Sequence, residues 1–425
     1  MISHYLKSFA LASLLSAMIS ALPHRTFAEP PVFDGGHFKY LFLLNTFPDD
    51  SLFLDYVDEP AIDNNADLRL KFGWKTDSTS LVTDYQMIAR YGDSIALNNE
   101  LPSIITLPNS IPVDDFRLFD LTQIISQNDK RVIAHRLDRL YVDITTADAV
   151  VRIGRQVVSW GNGLIFTPLD FLNPFDPAAI DKEYKSGDDM LYGQYLIQNG
   201  DDLQAVWVVR RDINGELSNA VNSSSVKYHG FINNNEYDLL FARHYDDNIL
   251  GIGSVVNIGG AVLRGDLTLT GTPTDTVTSL VTSLSYSWVS WGHNFSGIIE
   301  YFYNGFGQTN NDYSPAALSQ NPDLVKRIVR GELFTLSREY LAASAMIEIT
   351  PLWMLTPNVF INTRDRSFLT QIVSSYDIEQ DWQLLAALSV PIGAAGTEYG
   401  GIDSGIAGKS LGTELNLFVQ LAWYF

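Results

Sequence analysis

The sequence predicts an all-β fold, a transmembrane antiparallel β-barrel of about 16 strands, within a range of roughly 14 to 18. From Leu415 to Phe425, each odd-numbered residue is bulky and apolar, whereas the even-numbered residues are mixed and partly polar. Successive side chains of a strand point to opposite faces, so this segment has one apolar face that reaches the last residue. The alternation recurs along the chain, and no apolar run reaches the roughly 18 residues that a membrane-spanning helix needs. A barrel explains both features, because its last strand must pair with its first so that no edge faces lipid.

Residues 1–28 have the form of a signal peptide. Lys7 precedes an apolar stretch from Phe9 to Leu22, and Ala28 offers a small residue at a plausible cleavage point. We therefore expect residues 1–28 to be removed and residues 29–425 to form a single outer-membrane β-barrel domain.

The composition excludes several classes of function. Apolar residues make up 46% of the chain, and the formal net charge is −21. Such acidity excludes a nucleic-acid partner, which would require a basic surface. The chain has no cysteine, so disulfides and thiolate chemistry cannot contribute. We expect no metal and no cofactor.

The predicted strands follow one another in chain order. The first, at 36–44, alternates aromatic and aliphatic residues with His37 and Lys39. The runs at 68–74 and 81–91 are separated by a short polar segment and predict a tight hairpin. The others are predicted at 136–145, 149–160, 190–198, 203–211, 236–245, 249–258, 261–270, 279–289, 294–303, 340–350, 352–361, 367–376, 382–392 and 415–425.

Three long segments interrupt the alternation and are predicted to be loops, at 92–131, 161–189 and 305–337. Prolines in the first of them, Pro102, Pro108 and Pro112, exclude a central strand. Within the same loop, residues 114–125 are compatible with a short helix. Loops of this length inside a compact fold are usually functional or disordered.

The most distinctive sequence segments are IGRQVVSWGNG at 153–163 and PLDFLNPF at 168–175. It resembles a segment of porin-like and alginate-export-like outer-membrane barrels of Gram-negative bacteria, including related uncharacterised ones, although Thr167 stands where that pattern has asparagine. The resemblance implies a strand that leads into a loop folded into the lumen, and it implies no catalytic role. The terminal Phe425 resembles the C-terminal signature of such barrels, which implies recognition by the outer-membrane assembly machinery.

The 161–189 loop is expected to narrow the lumen. Gly161 and Gly163 allow the backbone to leave the wall sharply, and the prolines that follow stiffen it. Five charged residues would then stand in the water path as constriction-loop candidates and filter solutes by charge: Lys182, Glu183, Lys185, Asp188 and Asp189. The alternative is an external loop that only covers the barrel mouth, because the sequence does not show on which side of the membrane the loop lies.

Charged residues also fall on the predicted inward faces of strands. An arginine on the lipid face near the middle of the bilayer costs about 2–4 kcal/mol, which favours the lumen. The pore-lining candidates are Arg69, Lys71, Asp84, Arg90, Arg210, Arg264, Asp266 and Glu300. Guanidinium groups bind carboxylates in a bidentate manner, so an arginine-lined lumen suits anionic sugars or organic acids. Alternatively, the three acidic residues among them pair with the arginines and only make the wall rigid.

The favoured function is an outer-membrane pore for diffusion or export of small polar or anionic solutes, by electrostatic filtering without covalent chemistry. One alternative is the barrel component of a larger export or lipid-transfer system that periplasmic partners gate. Another is an outer-membrane hydrolase, for which His293 and Ser296 are the nearest pair. Because residues three apart in a strand face opposite sides and no catalytic motif of a known type appears, no catalytic residue is assigned. The expected partners are outer-membrane lipid and lipopolysaccharide, the assembly machinery at Phe425, and the solute.

Overall fold

The computed structural model describes residues 32–100 and 113–425, in which 18 antiparallel strands form one barrel sheet. The strands are β1 (Val32–Thr46), β2 (Ala61–Lys75), β3 (Thr79–Gly92), β4 (Arg131–Thr145), β5 (Ala149–Gln156), β6 (Asp188–Leu196), β7 (Asp202–Val208), β8 (Ser223–Ile232), β9 (Asn235–His244), β10 (Asp247–Ile258), β11 (Ala261–Gly271), β12 (Thr276–Ser290), β13 (His293–Tyr303), β14 (Glu339–Thr350), β15 (Trp353–Asn362), β16 (Ser367–Glu379), β17 (Trp382–Ile392) and β18 (Leu415–Tyr424). A short accessory strand (Thr122–Asn128) pairs with the start of β4. The predicted signal peptide, residues 1–28, lies outside the described residues.

The first and last strands close the barrel. β1 pairs with β18 from His37 opposite Tyr424 to Thr46 opposite Leu415. The terminal residue belongs to this seam, because the Gly36 N–H donates to the Phe425 carbonyl at 2.7 Å and the Phe425 N–H donates to the Gly36 carbonyl at 3.1 Å. Closure removes the free edges that a membrane-embedded sheet cannot tolerate.

Side chains alternate between the lumen and the outer surface as the sequence predicts. In β18, Phe418, Gln420 and Ala422 are buried inside, whereas the rings of Trp423 and Phe425 lie on the outer surface. The inward and apolar outward faces are therefore separated by the pleat of each strand. The prediction of an antiparallel β-barrel is confirmed.

The two ends of the barrel differ. At one end, turns of two to five residues connect the strands, and both termini of the sheet lie there. All long connections leave from the other end: residues 47–60, 93–130, 157–187, 209–222, 304–338 and 393–414. In bacterial barrels of this kind the short turns are periplasmic and the long loops extracellular. The long-loop end is accordingly the extracellular end.

Two details of the sequence prediction are wrong. The count of about 16 strands is too low, and the strand that the pattern missed is β8. Its outer face includes Ser224 and Gly230, so it lacks the apolar alternation by which strands were recognised. Residues 114–125 form no helix, because their last residues belong to the accessory strand.

All helices of the described residues lie in the long loops. They are a 3₁₀ turn (Leu52–Asp55), α1 (Asp93–Glu100), α2 (Pro315–Leu318) and α3 (Pro322–Val329). The three predicted loops begin and end within a few residues of the observed connections 93–130, 157–187 and 304–338. Within the described residues, none of the helices has the length and apolar content to cross a bilayer.

Candidate functional site in the barrel lumen

The connection between β5 and β6, residues 157–187, folds into the barrel and is called the lumenal loop here. It makes hydrogen bonds with inward-facing side chains on strands all around the wall. These side chains are Asp238 on β9, Asp266 on β11, Glu300 on β13, Gln371 on β16, Gln420 on β18 and Lys39 on β1. Because the loop reaches opposite walls, it narrows the space that remains between them.

Two glycines allow the chain to leave the wall. Gly154 has φ of 126°, and an added Cβ would lie 2.2 Å from the carbonyl oxygen of Leu140. Gly161 turns the chain with φ of 102°. Both conformations favour glycine over residues with a side chain. Between them, the buried amide of Gln156 donates to the Met190 carbonyl at 3.0 Å and ties the end of β5 to β6.

The first half of the lumenal loop packs against the wall as an apolar core. Trp160, Leu169 and Phe171 are buried in a cluster with wall residues that include Val208 and Leu240. The wall provides room by lacking a side chain, since a Cβ on Gly251 of β10 would lie 2.2 Å from Leu169 Cδ2. Burial of this kind fixes the loop in place through the hydrophobic effect and close packing.

The tip of the loop is held by two wall carboxylates. Asp266 accepts hydrogen bonds from the backbone N–H of Asn162 at 2.7 Å and of Gly163 at 3.2 Å. Glu300 accepts three more, from Leu164 at 2.8 Å, Ile165 at 3.1 Å and Phe166 at 2.6 Å. Five consecutive N–H groups, those of residues 162–166, thus donate to two side chains. The alternative in which Asp266 and Glu300 pair with inward arginines is not what the structure shows.

The second half of the loop contacts the wall through charge. Lys39 Nζ lies 2.6 Å from carboxylate oxygens of both Asp181 and Glu183. Burial alone would raise the pKa of these two carboxyl groups, but the charge and hydrogen bonds of Lys39 outweigh it and lower both pKa values. The ring of Tyr184 lies over the guanidinium of Arg69, with 4.0 Å from its centroid to Cζ, a favourable cation–π arrangement.

The five charged constriction-loop candidates divide into two groups. Lys182, Glu183 and Lys185 lie in the lumenal loop, where the Lys182 ammonium donates to the Pro177 carbonyl at 2.9 Å and Lys185 pairs with Asp170. Burial raises the pKa of Asp170 to about 6, against the opposing charge of Lys185. Asp188 and Asp189 instead open β6, so placing them in the loop was wrong. Both are buried in ion pairs, Asp188 with Arg210 at 2.7 Å and Asp189 with Arg155 at 2.9 Å.

The candidates on β2 and β3 lie close together on the inner wall. Arg69 is 2.7 Å from Asp138 and 3.5 Å from Asp84. Lys71 stands opposite Asp84 in the sheet register, and its ammonium lies 5.1 Å from the centroid of the Tyr184 ring. Arg90 faces the lumen from β3, near the carboxylates of Asp63 and Asp67.

The other arginine candidates occupy different surroundings. Arg264 lies on the inner face of β11 and donates to the Ser285 hydroxyl at 2.8 Å. Arg210 lies just beyond the end of β7 and is only 5% exposed, locked between Asp188 and Ser223. Arg210 therefore belongs to a buried rim network, and its sequence-based placement within a strand at 203–211 was wrong.

Several charged residues of the lumen escaped the sequence analysis, among them Arg136, Asp138, Arg139 and Arg152. The first three flank an irregularity in β4, where the register with β3 shifts between Asp84 and Tyr85. A bulge of this kind turns consecutive side chains away from strict alternation, so the face of each residue cannot be read from its parity. The imperfect alternation of the predicted strand at 136–145 was the available signal. Arg152 pairs with Asp143 at 2.5 Å and keeps 29% of its side chain exposed.

The lumen is electrically asymmetric. The inner face of β1–β5, called the basic wall, carries Lys39, Arg69, Lys71, Arg90, Arg136, Arg139 and Arg152 beside Asp63, Asp67, Asp84, Asp138 and Asp143. The inner face of β9–β13, called the acidic wall, carries Glu236, Asp238, Asp247, Asp266 and Glu300 beside Arg264. The wall side chains alone therefore carry cations in excess on β1–β5, where Asp181 and Glu183 of the lumenal loop add carboxylates beside Lys39, and carboxylates in excess on β9–β13.

A separate charged cluster lies on the extracellular rim. Arg155 is fully buried and pairs with Asp189 and with Asp114, which lies 2.8 Å away. Its guanidinium also donates to the Phe119 carbonyl at 2.6 Å. Residues 113–121 thus cover this arginine, and the cover compensates the cost of burying the charge.

A small pocket lies between the lumenal loop and the 304–338 loop. Its volume is about 70 Å³, enough for a few water molecules. Phenylalanine side chains of both loops, including Phe166, Phe175 and Phe306, line it together with prolines of the lumenal loop and with polar wall residues. Arg327 closes one side by stacking on Phe306 and pairing with Asp247.

The pair considered for a hydrolase makes separate contacts. The Ser296 hydroxyl lies 2.9 Å from that of Ser287, and the His293 ring bonds to the Glu348 carbonyl oxygen at 3.0 Å.

The fold is similar to solved structures of outer-membrane porins. A BenF-like porin from Pseudomonas fluorescens Pf-5 matches with a TM-score of 0.53 and 10% identity over 94% of this chain and 100% of that chain. OccAB1 of Acinetobacter baumannii matches with a TM-score of 0.52 and 10% identity over 94% of this chain and 98% of that chain. OccK5 (OpdH) of Pseudomonas aeruginosa matches with a TM-score of 0.50 and 9% identity over 92% of this chain and 98% of that chain.

No family model matches the sequence, and no curated protein matches it. At these low identities the likeness shows the fold, that of a porin barrel of the outer membrane. It supports the porin-like resemblance and not the alginate-export-like one.

Proposed function

We propose that the protein is an outer-membrane pore through which small polar solutes that carry a negative charge cross the lumen beside the lumenal loop. The asymmetry between the basic and acidic walls carries this proposal. A solute carboxylate is attracted to the cations of the basic wall and repelled from the acidic wall. No covalent step is needed, because the wall only has to lower the electrostatic barrier to passage.

The cations of the basic wall do not contribute equally. Arg69 and Arg136 are each 2% exposed and their charges face buried carboxylates, so they mainly hold the wall together. Arg152 keeps more contact with water, and Lys71 faces the ring of Tyr184. Arg152 and Lys71 are therefore the cations most able to meet a solute.

Reversal potentials in a planar bilayer under a salt gradient test the proposal. The wild-type protein should pass anions in preference to cations, and Arg152→Ala and Lys71→Ala should each shift the reversal potential toward cation preference. Lys75→Ala is the matched control, because Lys75 ends β2 at the periplasmic turn and is exposed. A wild-type reversal potential that favours cations, or equal shifts in all three variants, would contradict the proposal.

A further inference from the structure

The tip of the lumenal loop, residues 162–166, binds two wall carboxylates that form no direct ion pair in the described residues. Asp238 of the acidic wall is paired with Lys227 and His229. In the part of the chain that the structure describes, Asp266 and Glu300 form no ion pair within 4 Å, although the charge of Lys182 acts on Glu300 from farther away, and both accept hydrogen bonds from the loop tip. Their exposures are only 1% and 0%. Burial of an ionised carboxylate is costly unless hydrogen bonds compensate it, and here the backbone of the loop supplies them.

The backbone of the loop tip presents successive N–H groups to the wall. Successive backbone N–H groups that point at one place form a concave anion-binding site. The N–H groups of Leu164, Ile165 and Phe166 converge on the two oxygens of Glu300. We propose that residues 162–166 are an anion-binding segment whose resident ligand is the wall carboxylate, and that Glu300 is a positioning residue that fixes the loop tip in the lumen.

Packing alone does not explain the position of the tip. The flanks of the tip are packed, since Trp160 and Leu169 lie in the apolar cluster, and the last residue of the tip is packed as well, with the Phe166 ring stacked on Phe302 at 4.8 Å. Leu164, at the tip, leaves 41% of its surface exposed. The flanks and Phe166 therefore stay in place without Glu300, whereas the exposed part of the tip around Leu164 depends on its hydrogen bonds.

Chemical rescue tests this assignment. Glu300→Ala removes the carboxylate and leaves a space that acetate fills, with its methyl group in place of the Glu300 γ-carbon. Because a hydrogen bond to a charged group contributes roughly a factor of ten or more, the displaced population of the tip should rise at least about ten-fold in this variant. Sodium acetate should return the tip to its wild-type position, and sodium gluconate, which is too large for the space, should not.

The natural absence of cysteine permits a direct readout of the tip. Leu164→Cys and Gln380→Cys, the latter on an exposed periplasmic turn, carry two spin labels whose distance distribution is measured in liposomes. In the wild-type background the distribution should be narrow and independent of the anion. In Glu300→Ala it should broaden in gluconate and narrow again in acetate. Because no current is measured, this result is independent of whether the pore conducts anions.

Two further variants keep the test decisive. Gln371→Ala removes another hydrogen bond between the wall and the loop, that to the Ala178 carbonyl, and its distribution should not respond to acetate. Glu300→Gln keeps the size of the side chain and leaves no space, so it should broaden the distribution without rescue. If Glu300→Ala does not fold, acetate in the refolding buffer should restore its yield and gluconate should not. A narrow distance distribution of Glu300→Ala in gluconate would overturn the proposal. So would a broad distribution that stays broad in 100 mM acetate, a concentration on the order of the dissociation constant of a weak carboxylate site.

Discussion

Replacement of Asp114 by asparagine should lower the free energy of unfolding by about 3 kcal/mol at neutral pH. Burial would raise the pKa of Asp114, but the charges and hydrogen bonds of Arg155 and Arg117 outweigh it and lower the pKa to about 2. An aspartate in an unfolded chain has a pKa of about 3.9, and each pH unit of difference corresponds to about 1.4 kcal/mol. The contribution of the ionised group to folding is therefore about 3 kcal/mol.

The sign of this effect gives it a pH signature. A carboxyl group whose pKa is lowered by folding contributes its full stability above about pH 4, and the contribution disappears as the pH falls through about 2. Urea unfolding of the purified barrel in liposomes, followed by tryptophan fluorescence between pH 7 and pH 2, measures it. The difference between wild type and Asp114→Asn should be largest at pH 7 and vanish near pH 2.

A neighbouring residue provides the control. Asp115 is exposed, so Asp115→Asn should change the unfolding free energy by no more than about 0.5 kcal/mol. Equal stability of Asp114→Asn and wild type at pH 7, or a difference that persists unchanged at pH 2, would refute the view that Asp114 clamps residues 113–121 over Arg155.

Three other predictions concern the loop and the barrel seam. Gly251→Ala should destabilise the barrel by about 1–3 kcal/mol in the same unfolding assay, because its Cβ would overlap the buried Leu169, whereas Gly193→Ala, which meets nothing within 4 Å, should be neutral. Single-channel conductance should change around pH 6, where Asp170 ionises, and Asp170→Asn should abolish that step but not the conductance itself. If the assembly machinery recognises the Phe425 ring, Phe425→Ala should reduce the amount of heat-modifiable barrel assembled in cells but should refold normally into liposomes. Poor folding both in cells and in liposomes would instead show that the ring acts through its packing on Phe33 and Trp423.

The sequence predicted the barrel because lipid imposes a simple rule on it. A strand that crosses a bilayer must present apolar residues on every second position, and β1, β2, β12 and β18 follow that rule closely. β8 escaped prediction because serine and glycine occupy part of its outer face. No comparable rule restricts the residue types of the inner face, because its side chains contact water, the lumenal loop or charged residues at different points.

The site depends on contacts between residues far apart in the chain. Inward placement of Asp266 and Glu300 followed from alternation, but their binding to residues 162–166 depends on where the lumenal loop crosses the lumen. The missing side chains of Gly251 and Gly253 on one inner face were a signal that something approaches β10 closely, although it did not identify the loop. Asp188 and Asp189 were assigned to the loop because the first residues of a strand can be as polar as the loop that precedes them.

Modification of a single cysteine at the loop tip tests most directly that the lumenal loop lines the path of the solute. In the naturally cysteine-free chain, Leu164→Cys places one thiol at the tip, and Leu191→Cys places one on the outer face of β6. Addition of a charged methanethiosulfonate reagent during planar-bilayer recording should reduce the single-channel current of Leu164→Cys in one step and leave Leu191→Cys unchanged. An unchanged current in a fully modified Leu164→Cys channel would show that the solute path does not run beside the loop tip.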